Sequence, residues 1–320
     1  MSKCRCGRLS APASERRMRR QYRSNKNMEQ VMEKYGYKFE KVFDNTYRIM
    51  DNSCCSNYLV VGSRRAALID TGCGTGNLRK LADELAGTDY DVINTHGHTD
   101  HVAANYQFRE IHIGREDEAM MRRLFESEEE KHIFYEEMRM YAADASHPGL
   151  EHFSAMEYRQ AFENATVSFQ IRYLEDGMTF DLGDTTLEAI HIPGHTPGGY
   201  VLLDTQNRRL FVGDAVLRHV SVLHEGGMKI SDFISGMEKL QAMQDRFDWI
   251  IAAHGHRQPG FRPLEPEFIS KLIECARSVD ISQSSVRHEA DGDGYEFYMD
   301  HKTHDDLDSV SIAYKLSSLQ

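Results

Sequence analysis

One six-residue string, His96-Gly97-His98-Thr99-Asp100-His101, constrains this chain more than any other feature. It follows directly on the apolar run Asp91-Val92-Ile93-Asn94-Thr95, which sets four ligand-type side chains on the loop at a strand end. The chain has 16 histidines in 320 residues, so His-x-His-x-Asp-His arises by chance far less than once. Neutral imidazoles beside a carboxylate suit a borderline cation such as zinc, and residues one and three apart on such a loop can converge on one point. Four donors exceed the need of one tetrahedral ion if others arrive from elsewhere.

Others do arrive. Three later apolar runs end in a ligand-type residue beside glycine: Ile190-His191-Ile192-Pro193-Gly194-His195-Thr196-Pro197-Gly198, Phe211-Val212-Gly213-Asp214 and Ile250-Ile251-Ala252-Ala253-His254-Gly255-His256. An earlier one, Leu68-Ile69-Asp70-Thr71-Gly72, has the same form. Singly, a strand-terminal Asp or His is more often a turn former or a polar cap. Five in this order point to a single site built at the ends of strands.

The rest of the chain reads as α/β. Strands are expected from Tyr47 onward at Tyr58–Val61, Ala66–Asp70, Asp91–Thr95, Glu110–Ile113, Thr186–Ile192, Tyr200–Leu203, Leu210–Val212 and Trp249–Ala253. Helices are expected near Asn77–Leu85 and Val102–Arg109, from Glu116 to about Tyr141, and near Ile230–Phe247 and Pro266–Val279. The connections Gly62–Arg65, Asp181–Thr185 and Thr205–Arg209 leave no room for a helix, so the sheets must be mixed or antiparallel. A helical block, 115–165, carries a stripe of Met and aromatic residues expected to pack in the core, with a lid, a pocket lining or a contact between two copies as the other roles. The C-terminal segments Tyr295–Met299 and Val310–Tyr314 alternate like a hairpin within an extension, 255–320.

Charge divides the chain. Residues 1–27 hold nine of the 38 Lys and Arg but one of the 50 Asp and Glu, and are expected to be disordered. They read as a transit peptide, a basic contact arm, or sequence upstream of a start at Met28. The body, 28–320, carries the acidity behind the net charge of −12, which argues against nucleic acid as a partner. No apolar run is long enough to span a membrane. Six scattered cysteines argue against a disulfide scaffold and for a reducing, cytoplasmic setting. Cys54 and Cys55 are expected in a loop over the site, with ordinary packing the default for both and a redox or substrate role the alternative.

The ordered set Asp70; His96, His98, Asp100 and His101; His195; Asp214; His254 resembles the metallo-β-lactamase superfamily. The resemblance implies an αββα sandwich, two mixed β-sheets face to face with helices outside and a metal site at one edge. It assigns one metal to His96, His98 and His195, a second to Asp100, His101 and His254, and a bridging role to Asp214, with Asp70 orienting ligands by hydrogen bonds. True zinc β-lactamases carry Cys or Ser where Asp214 stands, so antibiotic hydrolysis is not the expected main activity. The motif set is most similar to glyoxalase II and lactonase-like hydrolases, although the C-terminal extension does not resemble the helical glutathione-binding domain of glyoxalase II.

The resemblance thus implies two Zn²⁺ per chain, with iron or manganese as alternatives. A bridging hydroxide would attack an ester, thioester or lactone carbonyl of a small molecule, and Asp100 would orient it or relay its proton. No Gly-x-Ser-x-Gly elbow competes as a nucleophile site. Two other classes stay open: an oxidoreductase like the mononuclear-iron persulfide dioxygenases, and a metal-stabilised binding module without catalysis. His191 and His256 are expected beside the site rather than in it, and His112, His132, His147, His152, His219, His224, His288, His301 and His304 are expected mostly at the surface.

Overall fold

A computed structural model of the protein describes residues 31–50, 55–74, 76–143, 165–222, 227–254, 261–280, 285–288, 296–302 and 310–319. The basic segment 1–27, Cys54, His224, His256, His304 and all of 144–164, with His147 and His152, therefore lie outside the described residues. The first sheet has eight strands in sequence order: β1 (Met32–Lys34), β2 (Tyr37–Phe43), β3 (Thr46–Met50), β4 (Ser56–Val61), β5 (Ala66–Ile69), β6 (Tyr90–Ile93), β7 (Glu110–Ile113) and β8 (Gln170–Tyr173). The pairs up to β5 are antiparallel, and those from β5 to β8 are parallel. Helix α1 (Leu78–Ala86) forms the β5-to-β6 crossover, capped where Asn77 accepts from the Lys80 N–H and Gly87 turns left-handed at φ +61°.

The second sheet runs from β9 (Thr179–Asp181) through β10 (Thr186–His191) and β11 (Tyr200–Asp204) to β12 (Arg209–Gly213), all antiparallel. The three short connections do join antiparallel neighbours. The chain then leaves through β13 (His219–Val222), and β14 (Trp249–Ala252) returns parallel to β12.

Alternation along the strands sorts the side chains into layers. Tyr58, Val60, Ala67, Ile69, Leu187, Leu202 and Phe211 fill the space between the two sheets. Their neighbours Leu59, Leu68 and Ile111 face the helices of the first sheet, and Val201, Leu203, Leu210 and Val212 face those of the second. Two helices cover the second sheet, α5 (Ile230–Ala242) and α6 (Phe268–Arg277). Numbered between them and α1 are a single turn, α2 (Thr99–Val102), then α3 (Glu118–Glu126) and α4 (Glu128–Ala143).

Two expectations change. The helix over Glu116–Tyr141 is broken at Ser127, whose backbone is extended and whose hydroxyl accepts from the Glu130 N–H, so that it caps α4. Met121, Leu124, Phe125, Phe134 and Met138 on α3 and α4 are buried in the core beside the first sheet. The expected C-terminal hairpin, β16 (Glu296–Lys302) with β17 (Val310–Tyr314), is present but does not stand alone: β13 and β15 (Ser285–His288) flank it in a third sheet. No helix among the described residues is long and apolar enough to cross a membrane.

Candidate metal centre

The five strand ends meet at one edge of the sandwich. Backbone bonds join the two sheets there, Tyr200 N–H to the Thr95 carbonyl at 2.7 Å and Ser56 N–H to the Ala253 carbonyl at 2.9 Å, while within the second sheet Ala253 N–H bonds the Gly213 carbonyl at 3.1 Å. Gly213 has φ +50°, and a Cβ there would lie 2.3 Å from Thr95 Oγ1, so the residue before Asp214 has to be glycine.

His96, His98 and His195 converge. His98 Nδ1 stands 3.0 Å from His96 Nε2 and 2.9 Å from His195 Nε2. The far nitrogens of two of these rings are tied down. His195 Nδ1 donates to the Ser221 carbonyl of β13 at 2.8 Å, and His96 Nδ1 donates to Thr95 Oγ1 at 3.0 Å, which in turn donates to Asp70. Those bonds leave the Nε2 lone pairs facing inward. Burial, then the neighbouring imidazoles, push His96 well below the ordinary histidine pKa. Burial and His98 likewise bring His195 down to about 4. Both rings are therefore neutral donors near pH 7.

The other half is carboxylate-rich. His101 Nε2 lies 3.6 Å from Asp100 Oδ2 and 3.4 Å from Asp214 Oδ1, while His254 Nε2 lies 3.1 Å from Asp100 Oδ2 and 3.3 Å from Asp214 Oδ2. Burial works against charge on His101 and His254, but Asp100 and Asp214 outweigh it and hold both well above the ordinary value. Burial likewise raises the two carboxyls, and the two histidines more than reverse it, so both titrate below the usual range. Asp214 Oδ1 is nevertheless a buried acceptor without a hydrogen-bond partner, because the His101 contact is electrostatic rather than aligned.

Three inward lone pairs on one side, and an orphaned buried carboxylate oxygen between histidines on the other, are what cations would satisfy. The donors group as His96, His98 and His195, as His96, His101 and Asp214, and as Cys55, Asp100, His101 and His254, each set lying within 4.8 Å. All seven residues singled out by their strand-end positions are therefore brought together, and a model of the metallo-beta-lactamase superfamily matches residues 54–256, more than half of the chain. The chain belongs to the metallo-beta-lactamase superfamily.

Among other superfamily proteins, it is 29% identical over 246 residues to an acyl-coenzyme A thioesterase, MBLAC2, of Bos taurus, covering 72% of this chain and 84% of that protein. It is 27% identical over 201 residues to the hydroxyacylglutathione hydrolase GloC of Haemophilus influenzae, covering 60% of this chain and 81% of that one. The crystal structure of the DIM-1 metallo-beta-lactamase exposed to ceftazidime superposes with a TM-score of 0.53 at 15% identity, over 79% of this chain and all of that one; this likeness concerns the fold.

Asp70 has the orienting contacts expected of it in this superfamily. Its φ is +61°, uncommon for a non-glycine residue, and its carboxylate accepts from Thr95 N–H at 2.7 Å and from His101 Nδ1 at 2.9 Å. One side chain thus orients His101 directly and His96 through Thr95. Asp70→Asn is expected to lower metal affinity by about 10–100-fold while preserving the fold, as read by chelator competition and circular dichroism.

Sequence reasoning missed two groups. Asp117, fully buried, accepts from Gly97 N–H at 2.9 Å, Gly198 N–H at 2.7 Å and Thr196 Oγ1 at 2.7 Å, so it pins the loops carrying His96, His98 and His195. The available signal was Ile111-His112-Ile113-Gly114 ahead of it, another apolar strand end running into glycine and then an acid. The Ser221 carbonyl carried no signal, because a backbone acceptor has no residue signature. Cys55, expected in a loop over the site, is buried with its Sγ 3.9 Å from His101 Nδ1. His191 stays outside the cluster, donating to the Pro197 carbonyl at 2.9 Å, and His112 is buried against Phe180 instead of at the surface.

Proposed function

We propose that the chain is a two-zinc hydrolase of acyl thioesters, one metal held by His96, His98 and His195, the other by Asp100, His101 and His254, with Asp214 between them. The observation that carries this reading is the completeness of the second set: Asp100 and Asp214 both face His101 and His254 across 3.1–3.6 Å. A mononuclear iron site would leave that half without a task. Two divalent ions there would supply Lewis acidity toward a carbonyl and lower the pKa of water toward about 7.

The protein's own groups then divide the work. Asp70, Thr95 and Ser221 fix the imidazoles, and Asp117 fixes the loops that carry three of them. Asp100 is about a quarter exposed along its side chain, so it can meet both the pocket and solvent. Hydrolysis adds water across the C–S bond, giving a carboxylic acid and a thiol, and one proton must pass from water to sulfur. Asp100 is placed to handle it, since its partly exposed carboxylate reaches both the pocket and solvent. The relatives support the bond type: acyl-coenzyme A and hydroxyacylglutathione, after which two of them are named, are both acyl thioesters.

The test is one panel on one preparation: an acyl-coenzyme A, an acylglutathione, a lactone, an aryl ester, a phosphoester, and glutathione persulfide with oxygen uptake, alongside elemental analysis. Thioester turnover with close to two zinc ions per chain, abolished by chelator and restored by zinc, is expected. Oxygen uptake on the persulfide by an iron-loaded protein would overturn the proposal in favour of redox chemistry.

A further inference from the structure

Among the described cysteines, Cys73 belongs to the core beside the first sheet and Cys275 to the core beside the second. Cys55 is equally buried but belongs to no apolar cluster. It immediately precedes β4, and the Ser56 N–H to Ala253 carbonyl bond holds that strand start beside the residue preceding His254. Its Sγ lies 3.9 Å from Nδ1 and 4.0 Å from Nε2 of His101. One donor atom each from Cys55, Asp100, His101 and His254 falls within 4.8 Å of the others.

Around a tetrahedral zinc with bonds of about 2.0–2.3 Å, neighbouring donors stand about 3.3–3.6 Å apart, so this set is already near the required spacing. A second observation points to the same spot. Asp214, 8% exposed, holds its unpartnered Oδ1 3.4 Å from His101 Nε2. A buried acceptor and a buried sulfur thus both lie within 4.0 Å of one imidazole nitrogen, as donors around a shared cation would.

We infer that Cys55 is a ligand of the metal held by Asp100, His101 and His254, giving that half of the site one thiolate among its nitrogen and oxygen donors. The inference rests on the two-metal reading above. On binding, the thiol passes its proton to solvent and the thiolate forms the metal–sulfur bond. The soft ligand biases this half toward zinc and away from manganese and magnesium, while the all-histidine half keeps its preference for imidazole-binding metals.

The measurement is spectroscopic, on the full chain loaded with cobalt(II). Two equivalents of cobalt with a thiolate-to-cobalt charge-transfer band in the near ultraviolet are expected. Cys55→Ser should lose the band and hold the second ion at least about tenfold more weakly. Two equivalents without the band would overturn the inference and leave the two-metal hydrolase intact. A single equivalent without the band would overturn both. If Cys55→Ser does not fold, zinc X-ray absorption on the unsubstituted protein decides: a sulfur shell at about 2.3 Å, half a sulfur per zinc on average, supports the assignment, and a purely N/O shell refutes it.

Discussion

Asp214→Ala is expected to lose metal and hydrolysis together, with turnover falling by about a thousandfold or more. The size follows from its position. Asp214 is buried, and its two oxygens face His101, His254 and His195 at 3.4, 3.3 and 3.8 Å. Among the described residues it is the carboxylate that faces donors of both halves. Removing it leaves Asp100 to offset the charge of His254, and Asp100 with Asp70 to offset that of His101, and it separates the two donor sets electrostatically. Transition-state stabilisation from a divalent pair amounts to several kcal/mol, and about 4 kcal/mol corresponds to a thousandfold in rate.

His96→Ala tests the same idea from the other half, since His96 belongs to both the all-histidine group and the group containing His101 and Asp214. Elemental analysis and thioester turnover on both variants check the prediction. Either variant retaining two ions and near-normal turnover would show that the cluster is not the reaction centre.

How much of this was legible in the sequence depended on whether a signal was local. The seven clustered groups were legible because His96, His98, His195, Asp214 and His254 follow apolar strands beside glycine and Asp100 and His101 complete the string begun by His96, a one-dimensional pattern that survives without knowledge of pairing. The β-layers came from the family resemblance, because Tyr58, Leu59 and Val60 are all apolar and only their packing sorts Leu59 to one face and its neighbours to the other.

The β1–β3 meander was not legible, because β2 (Tyr-Lys-Phe-Glu-Lys-Val-Phe) carries enough charge to read as surface coil. Its one clear signal was Tyr35-Gly36, both at positive φ (+56° and +88°), the geometry of a tight hairpin turn. The third sheet was hidden too, since β13 pairs with β17 across some 90 residues and no local rule reports such a partner. The chemical environment of Cys55 was not legible locally: burial of cysteine is ordinary, and only the spatial neighbours distinguish Cys55 from Cys73 and Cys275.

Asp117→Ala should produce the second large effect, this time on stability and on one half of the site selectively. Three donors, Gly97 N–H, Gly198 N–H and Thr196 Oγ1, would lose their acceptor in a buried location. Hydrogen bonds to a charged group contribute about 1.5–3 kcal/mol each, and with partial relief by water the net cost is about 3–5 kcal/mol. That corresponds to a fall in Tm on the order of 5–10 °C.

A purely structural role would stop there, but the three donors belong to the loops that carry His96, His98 and His195. Affinity at the all-histidine half should therefore drop by at least about tenfold, with the carboxylate half less affected. Asp117→Asn sharpens the test, because its amide can accept with one oxygen while its NH₂ must confront at least one of the two backbone N–H groups. An intermediate loss in both melting and metal titration is expected. If Asp117→Asn melts and binds metal like the unsubstituted protein, the carboxylate is not what fixes the two histidine loops.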